Sequence, residues 1–447
     1  MSENSAPGAG AAQPQLDGRA YLRLIGIGAV IGIPAALVAL FFLGLVHYLE
    51  AWLWTDLPKA LGLSAPPWWM IVGLPVVGAL LVWAARALLP GDGGHEPLHG
   101  ISFEPTLVSY APSVVLAAVG TLAFGLVLGP EAPLIALGSV VGMVAVKWWK
   151  VTGPAQQVLS TAGVFSAVSA LFGGPIVAGV LLLEGGIALG AQLIPVLIPG
   201  VVAAAVGYVI VVGVGSWGGI PTQSLTIPDL PAYPNTRIVD LVLAVVIGVV
   251  VALLVAVVRR VAGRVLDLRP RLGMGPTLVA GALVVAVMTL LVDSAGGVYN
   301  DVLFSGQTTM PVLLSTSSEG LLALIILAKG IAYAVSLGAG FRGGPVFPAI
   351  FLGTAVALVI GLPFHMTTTA ALAIGAACGM AAMTRLVFTS VVFVLLFEGT
   401  AGTAAIPAAV LAAVTAWIIG KFIETRAADA AGDGPASGAT APGTATA

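Results

Sequence analysis

Charge is what this 447-residue chain has least of: 17 Lys and Arg with 19 Asp and Glu make up 8% of it. A soluble domain is about one-quarter charged, so this chain cannot cover a water-exposed globule, and a cytosolic enzyme of ordinary composition is excluded. One cysteine, Cys378, excludes a disulfide scaffold. A formal net charge of −2 and 7% aromatic residues without a stacking pattern exclude a nucleic-acid partner. What is there is apolar. Hydrophobic residues reach 59%, and the 58 Gly and 30 Pro sit inside apolar runs rather than polar low-complexity tracts. The chain reads as an all-α polytopic membrane protein whose surroundings are the lipid bilayer.

Residues 1–18 are too polar for the apolar core of a signal peptide. They and the Ala/Gly/Thr/Pro tail at 426–447 read as flexible cytoplasmic ends of a membrane domain at 19–425. Apolar runs at 24–46, 69–89, 193–212, 241–258, 277–292 and 321–337 approach or exceed the roughly 20 residues that a spanning helix needs. The runs at 133–145 and 346–358 are shorter and bounded by Gly and Pro. Short segments at membrane depth survive only where they line a cavity or are buried in protein. Arg19 and Arg23 before the first span, the cluster Arg259, Arg260, Arg264, Arg269 and Arg271, and Lys421 with Arg426 place both termini in the cytoplasm. The loop with Glu50, Asp56 and Lys59 then faces outward, and the plasma membrane is the expected location.

The most informative feature is an internal repeat. Gly129-Pro130-Glu131-Ala132-Pro133 is matched 215 residues later by Gly344-Pro345-Val346-Phe347-Pro348, and the segment ending in Glu184-Gly185 is matched 214 residues later by the one ending in Glu398-Gly399. The basic residues precede the first long span in one copy and follow it in the other, so the two copies, about 19–215 and 235–425, have inverted topology. Inverted repeats put a substrate site near the bilayer midplane, where broken helices aim their positive N-termini at anions.

Each Gly-Pro-X-X-Pro turn opens an apolar helix. Proline suits the first helical turn, and the unpaired N–H groups there form an anion site. Taken singly, such a turn is more simply a packing device; two at matched positions favour the anion reading. Glu131 stands in an otherwise uncharged stretch at 110–146, and an intramembrane carboxylate is costly and by default functional. The helix dipole favours its charge, so it can occupy the anion site as a plug that protonation releases. The plainer reading is a capping carboxylate. Glu184 and Glu398 read as structural, by capping or boundary hydrogen bonds. His95-Glu96-Pro97-Leu98-His99 spells the H-E-x-x-H signature of a zinc protease. Pro97 disfavours the helix that would bring both histidines to one metal, so no metal or other cofactor is expected.

Several of these segments resemble the CLC chloride channel and transporter family. Gly129-Pro130-Glu131-Ala132-Pro133 is similar to that family's Gly-Arg/Lys-Glu-Gly-Pro motif, and Gly344-Pro345-Val346-Phe347-Pro348 to its Gly-X-Phe-X-Pro motif. Gly93-Gly94-His95-Glu96-Pro97 falls where Gly-Ser-Gly-Ile-Pro is expected, and 170–184 and 383–398 resemble the paired later helices. The resemblance implies a homodimer, each subunit passing chloride or a similar small anion, with protons as a further partner if transport is coupled. Glu131 would be the gate, and Gly94, Gly129, Ala132, Gly344, Val346 and Phe347 the anion-binding positions. The departures are specific. Gly94 replaces the serine, Pro130 and Pro345 lack the N–H of the residues they replace, and no tyrosine follows Tyr333 where the family has a C-terminal one. The family's intracellular proton glutamate corresponds to Gly185, so uncoupled or weakly coupled anion movement is expected. A proton-coupled chloride or fluoride antiporter and a transporter of another anion are the alternatives.

Overall fold

A computed structural model describes residues 18–431, apart from 101–102, 188–189, 191–192, 219–225 and 400. The described residues form sixteen α-helices and no β-sheet. The first half runs α1 (Gly18–Ala51), α2 (Leu57–Ala60), α3 (Trp68–Leu88), α4 (Ala111–Leu122), α5 (Glu131–Trp148), α6 (Ala155–Phe172), α7 (Pro175–Gly185) and α8 (Leu193–Gly218). The second runs α9 (Ile238–Leu272), α10 (Met274–Ser294), α11 (Met310–Ser315), α12 (Glu319–Ala339), α13 (Val346–Gly361), α14 (Thr368–Thr384), α15 (Val387–Glu398) and α16 (Ile406–Ala431). Among the described residues, ten helical segments are long and apolar enough to cross a membrane. The protein is a multi-pass integral membrane protein.

The halves correspond element by element, α1 with α9, α5 with α13, and α6, α7 and α8 with α14, α15 and α16. Basic residues open α1 (Arg19, Arg23) but close α9 (Arg269, Arg271), as inverted copies require. Burial follows place in the bundle. α9 buries a stripe through Leu243, Ile247, Val251, Val255 and Ala262 and leaves Val242, Val246, Val250 and Val257 exposed. An outer helix that is apolar on both faces presents one of them to lipid. α13 buries nearly all of its side chains and is an inner helix.

Matched glycine pairs bring the inner helices together. A Cβ on Gly163 of α6 would stand 2.1 Å from the Gly138 carbonyl oxygen of α5, and one on Gly353 of α13 would stand 2.1 Å from that of Gly375 of α14. Without a side chain at either crossing the backbones touch, which is how helices associate closely in lipid. α5 (18 residues) and α13 (16 residues) extend beyond the short apolar runs seen in the sequence, because Lys147, Trp148 and the 359–361 turn continue their hydrogen bonding. α16 continues to Ala431, six residues into the segment read as a flexible tail, with the Arg426 guanidinium seated over the Phe422 ring at 4.3 Å. Residues 1–17 and 432–447, the remainder of the two expected flexible ends, lie outside the described residues.

Candidate functional site

The two Gly-Pro turns meet. Gly129 N–H donates to the Gly344 carbonyl at 2.7 Å, and Gly344 N–H donates back to the Gly129 carbonyl at 2.5 Å, a two-residue antiparallel bridge between the repeats. The bridge sets the starts of α5 and α13 side by side, both following a proline cap. Two positive helix ends thereby converge on one point inside the protein.

Glu131, the first residue of α5, is 1% exposed. Its carboxylate reaches across the junction to α13. Oε1 accepts from the Phe347 N–H at 3.0 Å, in the first turn of α13. The other oxygen, Oε2, has no hydrogen-bond partner among the described residues. A Cβ on Gly344 would lie 1.6 Å from Oε2, and one on Gly129 would lie 2.3 Å from it. The two glycines therefore make the room that the carboxylate fills. A negatively charged oxygen held at a helix N-terminus sits where a free anion would bind.

Residues 95–421 match the voltage gated chloride channel family. The chain belongs to that family. Among its relatives, YfeO of Salmonella paratyphi A, whose name refers to ion transport, is 27% identical over 344 residues, covering 74% of this chain and 78% of its own length. Two solved structures share the fold. One is a slow cyanobacterial Cl⁻/H⁺ antiporter, with a TM-score of 0.73 and 18% identity, covering 90% of this chain and 95% of the other. The second is a CLC-type fluoride/proton antiporter, with a TM-score of 0.69 and 19% identity, covering 91% and 97%. This CLC protein is an anion transporter and not an enzyme. Pro97–His99 is a single 3₁₀ turn, and Glu96 pairs with Arg269 at 2.5 Å.

The positions named from sequence separate on the structure. Gly129, Glu131, Gly344, Val346 and Phe347 gather at the junction, and Ala132 lies half-buried in the first turn of α5. Phe347 contributes its amide there. Its ring turns into an aromatic cluster, 6.1 Å from Phe172 and 5.9 Å from Phe393 between centroids. Gly94 sits in a turn against Val114, with φ at +100°. That turn is fixed by charge. Arg342 donates to the Asp92 carbonyl (3.0 Å) and carboxylate (2.5 Å), and Arg86 donates to the same carboxylate at 2.7 and 2.9 Å.

The matched glutamates differ. Glu184 caps α15, accepting from the N–H groups of Val387 (2.6 Å), Phe388 (3.1 Å) and Thr389 (2.9 Å) and from the Thr389 hydroxyl (2.7 Å). Glu398 is buried and neither carboxylate oxygen has a hydrogen-bond partner among the described residues. Two further groups escaped the sequence reading. The buried Tyr333 donates its hydroxyl to the Pro345 carbonyl at 2.6 Å, directly behind the start of α13. Lys329 is fully buried and donates to the carbonyls of Asp301, Val302, Leu303 and Phe304 at 3.0–3.3 Å. A lone lysine in an apolar run is a signal; nothing around Tyr333 marks it.

Proposed function

We propose that the chain passes chloride, or a small anion like it, through the Gly129–Gly344 junction, with Glu131 as the gate. The observation that carries this reading is the Glu131 carboxylate held on the Phe347 N–H. In that position it competes with a permeating anion for the same helix start. Protonation removes its negative charge, weakens its hold on the amide and frees the site, so external acid opens the path. Gly129, Ala132, Gly344, Val346 and Phe347 form the wall through backbone groups, and Gly94 borders the same route from its turn. A recess lined by Pro130, His47, Glu50, Ser305 and Gln307 opens on the face opposite the start of α1, and Pro130 in its wall is the residue before Glu131.

The basic ends of α1, α9 and α16 put both termini in the cytoplasm by the positive-inside rule, in a plasma membrane. The assembly is a homodimer with one path per subunit, joined through the lipid-facing sides of α7, α8, α15 and α16, where Ile176, Ile198 and Phe388 are exposed. A monomer by mass photometry that remains active on reconstitution would exclude this assembly. The gate is tested by anion flux from liposomes between pH 4.5 and 7.5. Wild-type flux rises with acid, and Glu131→Gln is open and flat with pH; a Glu131→Gln protein that keeps the wild-type profile removes Glu131 from the mechanism.

A further inference from the structure

A cavity of about 550 Å³ opens between the 103–105 segment, α6, the end of α7 and the start of α8. Most of its wall is apolar, from Phe165, Leu182 and Val196 among others, and its polar lining is Glu104, Gln157 and Thr161. Gly185 and Gly186 line it too. No side chain grows inward at 185, and a Cβ there would stand 2.9 Å from Phe103 Cε2. The Phe103 ring holds that space, and the next residue along, the exposed Glu104, is carried to the cavity. The segment is anchored on both sides. Gln157 Nε2 donates to the Phe103 carbonyl at 3.5 Å, and Thr106 N–H donates to Ser139 Oγ at 2.8 Å.

We propose that Glu104 is the carboxylate that takes up protons on the cytoplasmic side and passes them through this cavity toward Glu131. The proposal rests on the reading of Glu131 as a gate that gains and loses a proton. Such a gate needs a route for that proton, and tight apolar packing offers none. A partly polar space of this size holds several waters. Polar groups continue inward from it. Gln157 Nε2 donates to Thr161 Oγ1 at 3.4 Å, and the Ser160 and Ser139 hydroxyls pair at 2.8 Å across α6 and α5. Ser139 lies eight residues beyond Glu131 on the same helix, about 12 Å along its axis. The transfer balances simply: protonated Glu104 gives its proton to cavity water, the Glu131 carboxylate accepts one, and Glu104 reloads from solvent.

Glu104 is the one ionisable group among the described residues lining the cavity. The titratable group that faces it from the 91–97 turn is His95. Burial, with the charge of Arg342, holds the His95 imidazole below its ordinary 6.5 against the opposing pull of Glu104, so at neutral pH it is an uncharged neighbour. Weak coupling is what Gly185 alone implies; a carboxylate delivered by another part of the chain reverses that expectation.

The test is full-length protein in liposomes under a tenfold pH gradient with equal chloride on both sides, reading chloride and proton movement together. Wild type drives chloride uphill. In Glu104→Gln the ratio of protons to chloride falls at least tenfold while chloride flux falls less than threefold, and Glu104→Asp restores most of the ratio. Pumping by Glu104→Gln at the wild-type ratio overturns the assignment, as does a wild type that never pumps. Loss of chloride flux along with the ratio also overturns it, because Glu104 would then be serving the anion path or the fold. Glu131→Gln measured alongside separates the two readings: if its flux is flat with pH while Glu104→Gln pumps normally, the gate stands and only the proton route falls.

Discussion

The starts of α5 and α13 are built alike and charged differently. Both follow a proline cap, both approach the next helix through a glycine pair, and the bridge between Gly129 and Gly344 treats them as equals. Only α5 brings a carboxylate; the matched residue of α13 is Val346, and α13 instead offers the amide that the carboxylate binds. Symmetry thus sets two like helix starts side by side, and a single asymmetric residue occupies the space between them. The largest effect should come from disturbing that fit. Gly344→Ala places a methyl where the three nearest atoms all belong to Glu131. Overpacking a buried site costs roughly 1–3 kcal/mol, and this contact lies at the severe end. Because the clash is with one side chain, Glu131→Ala should relieve most of it, leaving only the Cβ at 2.9 Å. Thermal unfolding of the two single variants and the double variant should give a coupling above about 1 kcal/mol, the signature of residues in direct contact. Additive effects would mean that Glu131 does not occupy the space between the glycines.

Glu184 and Glu398 are matched in sequence and unlike in surroundings. Glu184 receives four hydrogen bonds at the start of α15, whereas the Glu398 oxygens receive none among the described residues. Hydrogen bonds to a charged group are worth about 1.5–3 kcal/mol each, and a buried charge without partners costs stability. Glu184→Gln should therefore destabilise by about 1–2 kcal/mol, since the amide keeps one accepting oxygen. Glu398→Gln should be neutral or stabilising. Equal losses in chemical unfolding would show that both glutamates do the same work.

Much of this was legible in the sequence because it rests on spacing. Offsets of 214 and 215 residues locate the two copies, and the basic residues fix their opposed directions. A lone Glu131 in an uncharged stretch stands out by its cost at membrane depth. Partners were not legible. That Glu131 bonds the other repeat's helix and that Glu184 caps α15 are contacts across 216 and about 204 residues, and no local pattern encodes them. The role of Phe347 was half visible, since a motif names a residue but does not distinguish its amide from its ring. The pairing of the buried Arg342 with Asp92 was hidden for the same reason, with 250 residues between the partners.

A smaller effect sharpens the difference between the two helix starts from behind. Tyr333 donates to the carbonyl of Pro345, the cap of α13, and the described residues show no such bond to the cap of α5. Tyr333→Phe keeps the ring and removes the hydroxyl, which should cost about 1 kcal/mol. If the bond also steadies the amide that holds Glu131, acid should open the path more readily in this variant. Liposome flux shifted toward higher pH is the expected result; an unchanged profile with unchanged stability would make the hydroxyl incidental.

The smallest effect separates acid acting on the gate from acid acting on the fold. Burial alone would raise the Asp92 carboxyl, but hydrogen bonds from Arg86 and the charges of Arg342 and Arg86 outweigh it and hold it below its ordinary 3.8. A carboxyl lowered in the folded state contributes stability that is complete above its unfolded value, about 3.9, and is lost as pH falls through the lower folded value. The loss therefore lies below pH 4, and it is modest because the Asp92 side chain is 56% exposed. Asp92→Asn should lower stability at pH 7 slightly and flatten the decline below pH 4. The acid activation assigned to Glu131 should survive that change, because the Asp92 turn and the helix junction titrate independently. Unfolding midpoints from pH 3 to 7, compared with flux profiles of the same variant, decide it: if Asp92→Asn moves the flux profile as much as the stability profile, the two acid responses have a common origin.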